Sequence, residues 1–164
     1  MIKSGLPFVR SQALDKNPSL RRWPLKVSVR SFPQTTEKSP PLRVLVVDDE
    51  SLIRWSIAET LADAGHTVIE AEDGATAVQA LTGPAEPIDA VLLDYRLPDS
   101  NDLTLLASIR RLSPHSRVIL MTAYGTPEVT KGALDLGVYR VMSKPFEMHE
   151  LEELLLEACG SHPR

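Results

Sequence analysis

The sequence predicts an α/β domain in which a central parallel sheet is covered on both faces by helices. Five short runs rich in valine, leucine and isoleucine alternate with segments of helical periodicity. The runs are almost continuously apolar, as strands buried on both faces require; strands with one wet face would alternate. The chain, 164 residues and 43% hydrophobic, is long enough to enclose one such core. With right-handed crossovers the simplest arrangement is a three-layer (βα)5 sandwich.

Arg43–Val47 is the first strand: short, valine-rich and followed by acids. A helix follows over Leu52–Ala64, with Ser51 expected as its N-cap and Gly65 as its stop. His66–Ala71 is the second strand and Asp73–Leu81 a helix whose alanines allow close packing, ended by Gly83-Pro84. Ile88–Leu93 is the third strand and terminates at Asp94. Pro98–Asp102 forms a loop, and Leu103–Leu112 a helix with leucines spaced for burial. Arg117–Met121 is the fourth strand, and Glu128–Leu136 a helix closed by Gly137. Tyr139–Met142 and Glu147–Glu157 complete the series. Strand order does not follow from this pattern alone.

Charge and proline divide the chain at its front. Residues 1–41 carry eight basic and two acidic side chains and six of the 13 prolines; residues 42–164 carry ten basic and twenty acidic ones. The first part reads as a basic, Pro/Ser-containing flexible arm, with a short helix or docking strand around Leu20–Val29 as the alternative. The acidic body argues against direct nucleic-acid binding, which needs concentrated Lys and Arg. A single cysteine, Cys159, allows neither an internal disulfide nor a cysteine-pair metal site. The opening MIKSGLPFVRSQALD lacks the apolar core of a secretory signal, and no run approaches the length that inserts into a membrane. A cytoplasmic location is the expectation.

The residues able to do chemistry recur just after strands. Asp48, Asp49 and Glu50 follow the first, Asp94 ends the third, Thr122 follows the fourth and Lys144 the fifth. In a parallel sheet all of these reach one edge, where doubly wound folds bind their ligands. The clustered carboxylates of Asp48, Asp49 and Asp94 repel one another unless a cation compensates. Mg²⁺ suits such a set because it takes few carboxylates and keeps room for water and phosphate oxygen. Lys144 adds a point charge and Thr122 a hydroxyl donor. Pro145 holds Lys144 extended, and a cis Lys144–Pro145 bond is expected. No glycine-rich phosphate loop or nucleotide fingerprint is present, and the four histidines lie in separate segments.

Together VLVVDDE, the LLDYRLPD carrying Asp94, the LMTAYG carrying Thr122 and the MSKPF carrying Lys144 resemble the receiver domains of two-component response regulators, over residues 42–158. The AYGTPEVTKGALDLG phrasing resembles receivers attached to ATP-dependent enhancer-binding activators. The resemblance implies a flavodoxin-like fold with sheet order 2-1-3-4-5. It also implies that Asp94 accepts a phosphoryl group from a sensor histidine kinase or phosphotransfer protein. Asp49, Asp94 and the Arg96 carbonyl would bind Mg²⁺, with Asp48 acting directly or through water; Lys144 would hold a phosphoryl oxygen, and Thr122 would move toward it. Self-catalysed transfer and hydrolysis, not conventional turnover, is implied. Output would be docking to a protein target or phosphorylation-dependent homodimerisation through the last two helices and last strand.

Two departures stand out. The loop after Asp94 has Ser100-Asn101-Asp102 where relatives commonly have glycine at the last position. Val141 stands three residues before Lys144, where many relatives carry a switching aromatic; Tyr139 is expected to share a strand face with it. Residues 159–164 read as a tail too short for an ATPase or DNA-binding domain, so the chain is expected to be a stand-alone receiver or a piece of a longer protein. Two competing readings are a phosphorylation-independent binding module and an aspartyl-nucleophile phosphatase. The latter has little support, because Arg96 stands where a leaving-group acid is needed.

Overall fold

The computed structural model describes residues 40–83 and 86–160. The arm, apart from its last two residues, and the end of the tail lie outside the described residues, as does the expectation for Leu20–Val29. Within them the chain runs β1 (Arg43–Val47), α1 (Ser51–Asp63), β2 (Thr67–Ala71), α2 (Gly74–Thr82), β3 (Ala90–Asp94), α3 (Thr104–Leu112), β4 (Arg117–Thr122), α4 (Pro127–Asp135), β5 (Arg140–Ser143) and α5 (Met148–Ala158). All strand pairs are parallel, in the order β2-β1-β3-β4-β5. This is the (βα)5 sandwich that the apolar runs predict, with the implied order.

Each buried strand feeds two cores because successive side chains point to opposite faces. Val44, Val46, Leu92, Ile119 and Met121 pack with Ile57 and Leu61 of α1 and Leu151, Leu154 and Leu155 of α5. Leu45, Val47, Val91, Leu93, Val118 and Leu120 pack with Ala77 of α2, Leu106 and Ile109 of α3 and Ala133 of α4. Beyond Arg43 and Arg117 at their amino ends, the inner strands therefore have no polar positions until their carboxyl ends. There the charged residues emerge.

Several boundaries shift for identifiable reasons. Ser51 is the first helical residue instead of the cap. Glu50 holds the cap position, and its N–H donates to Asp48 Oδ1 at 2.9 Å. Gly65 and Gly137 end α1 and α4 at φ +98° and +84°, a region that side-chain-bearing residues avoid. Among the described residues no non-glycine residue has positive φ, so Asp102 does not adopt left-handed geometry. Instead its Oδ1 accepts from the Thr104 N–H at 2.8 Å, which ties it to the start of α3.

Tyr139 and Val141 do not share a face. Val141, half-buried, packs against the core on the α2–α4 side, whereas Tyr139, like Met142 and Phe146, packs against the core on the α1–α5 side. The strand begins only at Arg140, and Tyr139 still belongs to the turn from Gly137, so two-residue periodicity does not extend to it. The Tyr139 ring is therefore not a substitute rotor behind Lys144.

His66 pins the entry to the sheet. Its Nδ1, in a buried side chain, accepts the Leu42 N–H at 3.1 Å. Burial lowers its pKa, opposed by the charge of Glu152. A histidine depressed in the folded state takes up its proton first in the unfolded chain, so stability is complete above the unfolded value of about 6.5 and falls below it. Denaturant titrations between pH 7.5 and 5 are expected to show this decline. His66→Asn, which keeps an acceptor near the Nδ1 position but cannot titrate, flattens it.

Candidate functional site

The strand register brings the reactive residues together. Val47 lies opposite Leu93, Asp94 opposite Met121 and Thr122 opposite Ser143, so Asp48, Asp94, Thr122 and Lys144 leave the sheet at one edge. Asp48 continues the parity of Val44 and Val46, and Asp94 that of Ala90 and Leu92. Both carboxylates thus lean to the α1–α5 side, the side on which Met142, two residues before Lys144, also packs. Thr122 has the parity of Val118 and Leu120 and leans the other way.

Lys144 joins the carboxylates. Its Nζ donates to Asp48 Oδ2 at 2.7 Å and to Asp94 Oδ2 at 3.1 Å, and lies 3.7 Å from Glu50 Oε1. Its side chain is 10% exposed, Asp48's 0% and Asp94's 8%, so solvent screens these charges little. At an effective dielectric constant near 20, like charges about 4 Å apart repel by about 4 kcal/mol. One ammonium cannot neutralise both carboxylates, and a negative site remains.

The protonation equilibria follow. Burial raises the pKa of Asp94, the Lys144 charge pulls it down and Asp48 pushes it up again; the net direction is upward. Burial is also the largest influence on Lys144 and disfavours its ammonium. The hydrogen bond to Asp48 and the charges of Asp94 and Asp48 outweigh it, holding the lysine pKa above its ordinary value. The Lys144–Pro145 bond is cis, as expected from the sequence.

Oxygens of Asp48, Glu50 and Asp94 lie within 4.8 Å of one another, a hard oxygen-donor set suited to a divalent cation. Asp49 is not among them, although with Glu50, Asp94, Arg96, Tyr124 and Lys144 it lines a cleft of about 300 Å³ over the site. Each Asp48 oxygen already accepts one hydrogen bond, Oδ1 from the Glu50 N–H and Oδ2 from Lys144. Thr122 reaches the edge, but its hydroxyl oxygen accepts the Tyr124 N–H at 3.0 Å. The Arg96 N–H stands 3.4 Å from Asp94 Oδ1, and its guanidinium lies 5.0 Å over the Tyr124 ring.

Two participants escaped the sequence reading. Glu50 is visible in the acidic run, but nothing in the sequence sets it closer to the cluster than Asp49. Arg54 gave no signal: it sits one helical turn into α1, and its Nη1 donates to the Asp48 carbonyl at 2.6 Å while Nε pairs with Glu70 of β2 at 3.2 Å. It fastens the β1–α1 loop from behind. The carbonyl lies six residues back along the chain, whereas the pairing of β1 with β2 is what brings Glu70 within reach.

The response regulator receiver domain family matches residues 44–156. The chain is 36% identical over 119 residues to the DNA-binding transcriptional regulator NtrC of Escherichia coli, covering 73% of this chain and 25% of that protein. It thus spans about a quarter of that relative's length. The receiver domain of NtrX from Brucella abortus superimposes with a TM-score of 0.64 at 32% identity, covering 73% of this chain and 99% of that one. The CheX-CheY-BeF3-Mg+2 complex from Borrelia burgdorferi gives a TM-score of 0.66 at 27% identity, covering 71% and 88%.

Removing the ammonium leaves two buried carboxylates facing each other. Lys144→Met is expected to lower stability at pH 7 by about 3 kcal/mol, the scale for breaking a buried ion pair. Chemical denaturation at pH 5 is expected to show a smaller loss, because one carboxylate then takes up a proton.

Proposed function

Because the chain belongs to the response regulator receiver domain family, which serves two-component phosphorelay signalling, we propose that Asp94 is its phosphoacceptor and that Asp48, Asp49, Glu50, Arg96, Thr122 and Lys144 form the surrounding machinery. The observation that carries this reading is the buried Lys144 ammonium between Asp48 and Asp94 at an open, acidic edge of the sheet. A sensor histidine kinase or a phosphotransfer protein is the donor in this reading, and the location is cytoplasmic. No helix among the described residues is long and apolar enough to cross a membrane.

An Asp94 oxygen attacks the phosphorus of an N-phosphorylated imidazole. A P–O bond forms as the P–N bond breaks, the bonding pair returns to the imidazole nitrogen, and a proton neutralises that leaving group. Lys144, already hydrogen-bonded to Asp94, then pairs with a transferred oxygen. The Thr122 hydroxyl leaves its own loop to donate to the same group. Asp49, Asp94 and the Arg96 carbonyl would hold Mg²⁺, with Asp48 acting through water and Glu50 within reach; the bound cation supplies charge neutralisation at the phosphoryl oxygens. Later attack by water restores the carboxylate, which makes the protein a self-discharging acceptor instead of a turnover enzyme.

Release of Thr122 from the Tyr124 N–H frees the β4–α4 loop. Leu103, just beyond the Asp94 loop, packs so closely on α4 that a Cβ at Gly132 would stand 2.7 Å from it. That contact supports a route to α4 that needs no aromatic at Val141. Docking to a protein target or homodimerisation through α4, β5 and α5 is the output in this reading.

Incubation with Mg²⁺ and a small-molecule phosphodonor is expected to add one phosphoryl group by intact-mass measurement. The gain disappears with Asp94→Ala; a gain that survives this change removes Asp94 from its role, and no gain in the parent favours a phosphorylation-independent binding module. A stable phosphoryl mimic is expected to alter amide exchange over Thr122–Thr126 and Glu128–Tyr139. Unchanged exchange there counts against the route through α4.

A further inference from the structure

The loop that follows Asp94 is fastened to a helix it does not adjoin in sequence. Leu97 and Ser100 exchange backbone hydrogen bonds at 2.8 and 3.2 Å, closing a tight turn with Pro98 and Asp99 at its tip. Leu97 is buried in the α2–α4 core, so the turn has one fixed foot. The other is the Asp99 carboxylate, whose Oδ1 accepts the Gly74 N–H at 2.9 Å and whose Oδ2 accepts the Ala75 N–H at 3.0 Å.

These are the first two amides of α2, which no intrahelical carbonyl can satisfy. Asp73 takes the third, Thr76 N–H, at 2.7 Å, and the Ala77 N–H returns to the Asp73 carbonyl. The first turn of α2 is thus fully paired, half of it by a residue from the phosphoacceptor loop. A negative charge at this end of a helix is favourable in its own right. Gly74 permits the approach, since a Cβ there would lie 3.2 Å from both Asp99 oxygens and 3.0 Å from Leu105 Cδ2.

Asp99 lies three residues after Arg96, and the turn between them leaves the backbone little freedom. We propose that Asp99 is a positioning residue for the cation site: by clamping the turn to α2 it holds the Arg96 carbonyl where Asp94 needs it, and so couples cation binding to the first turn of α2. This rests on the proposed reading of Asp94 and Arg96 as cation ligands. A carbonyl on a loop held at both feet needs no ordering when the cation arrives, whereas a loose loop loses conformational entropy at that moment. Coupling of this kind is reciprocal, so bound cation must in turn strengthen the hydrogen bonds at Gly74 and Ala75.

Calorimetric titration of the full chain with Mg²⁺, without phosphodonor, tests this together with amide exchange at Gly74 and Ala75. Asp99→Ala is expected to weaken Mg²⁺ binding about fivefold, the equivalent of one net hydrogen bond. Asp99→Asn, which retains one acceptor and serves if the alanine variant does not fold, falls between. Gly74→Ala is expected to weaken binding as well, although it alters no residue of the loop. In the parent, Mg²⁺ slows exchange at Gly74 and Ala75, and in Asp99→Ala it does not.

Variants that melt at lower temperature yet bind Mg²⁺ like the parent would overturn the proposal and leave Asp99 as a cap of α2. That result spares the functional reading. A parent that neither binds Mg²⁺ nor takes up a phosphoryl group overturns both.

Discussion

Asp48 and Asp94 end adjacent strands of one sheet with the same parity, and burial forces them to share the single ammonium of Lys144. Everything else at the sheet's edge accommodates that arrangement. Two carboxylates against one cation leave residual negative charge in a poorly screened place, which suits the site to a divalent cation and to a phosphoryl group held by it.

The loops around this cluster are fastened at points away from the reacting atoms. Arg54 holds the Asp48 carbonyl from α1, and Asp99 ties the loop after Asp94 to α2. Ligand geometry is thereby set by helices whose own positions are fixed by the two cores. Thr122 is the exception. Its hydroxyl oxygen accepts a neighbouring backbone amide, a local bond that can break while the O–H turns to donate elsewhere. The rigid and the movable parts of the site are therefore different residues.

The two departures from the family pattern have different weights. Asp102 costs the loop nothing visible, since the backbone there avoids left-handed geometry and the carboxylate makes a bond to α3. Val141 matters more, because it packs against the core on the face away from Tyr139, and β5 holds no ring that can swing behind Lys144. The close fit of Leu103 against Gly132 offers a direct mechanical link to α4. Steric contact replaces rotamer exchange in that picture.

Apolar runs and their spacing sufficed for the number, type and order of elements, because doubly buried strands cannot tolerate polar residues before their ends. They also sufficed to bring Asp48, Asp94, Thr122 and Lys144 to one edge, since parallel strands all finish on the same side. What the pattern of residues left open was lateral: which strands are neighbours, and hence which side chains meet. Resemblance supplied the order, but not the contacts. That Glu50 stands nearer the cluster than Asp49 and that Arg54 reaches a carbonyl behind the site depend on the path of the β1–α1 loop, and that Asp99 completes α2 depends on backbone groups 25 residues away in the chain. Backbone donors and acceptors are the same for nearly every residue and carry no letter in the sequence, so only the tertiary structure could decide where they meet.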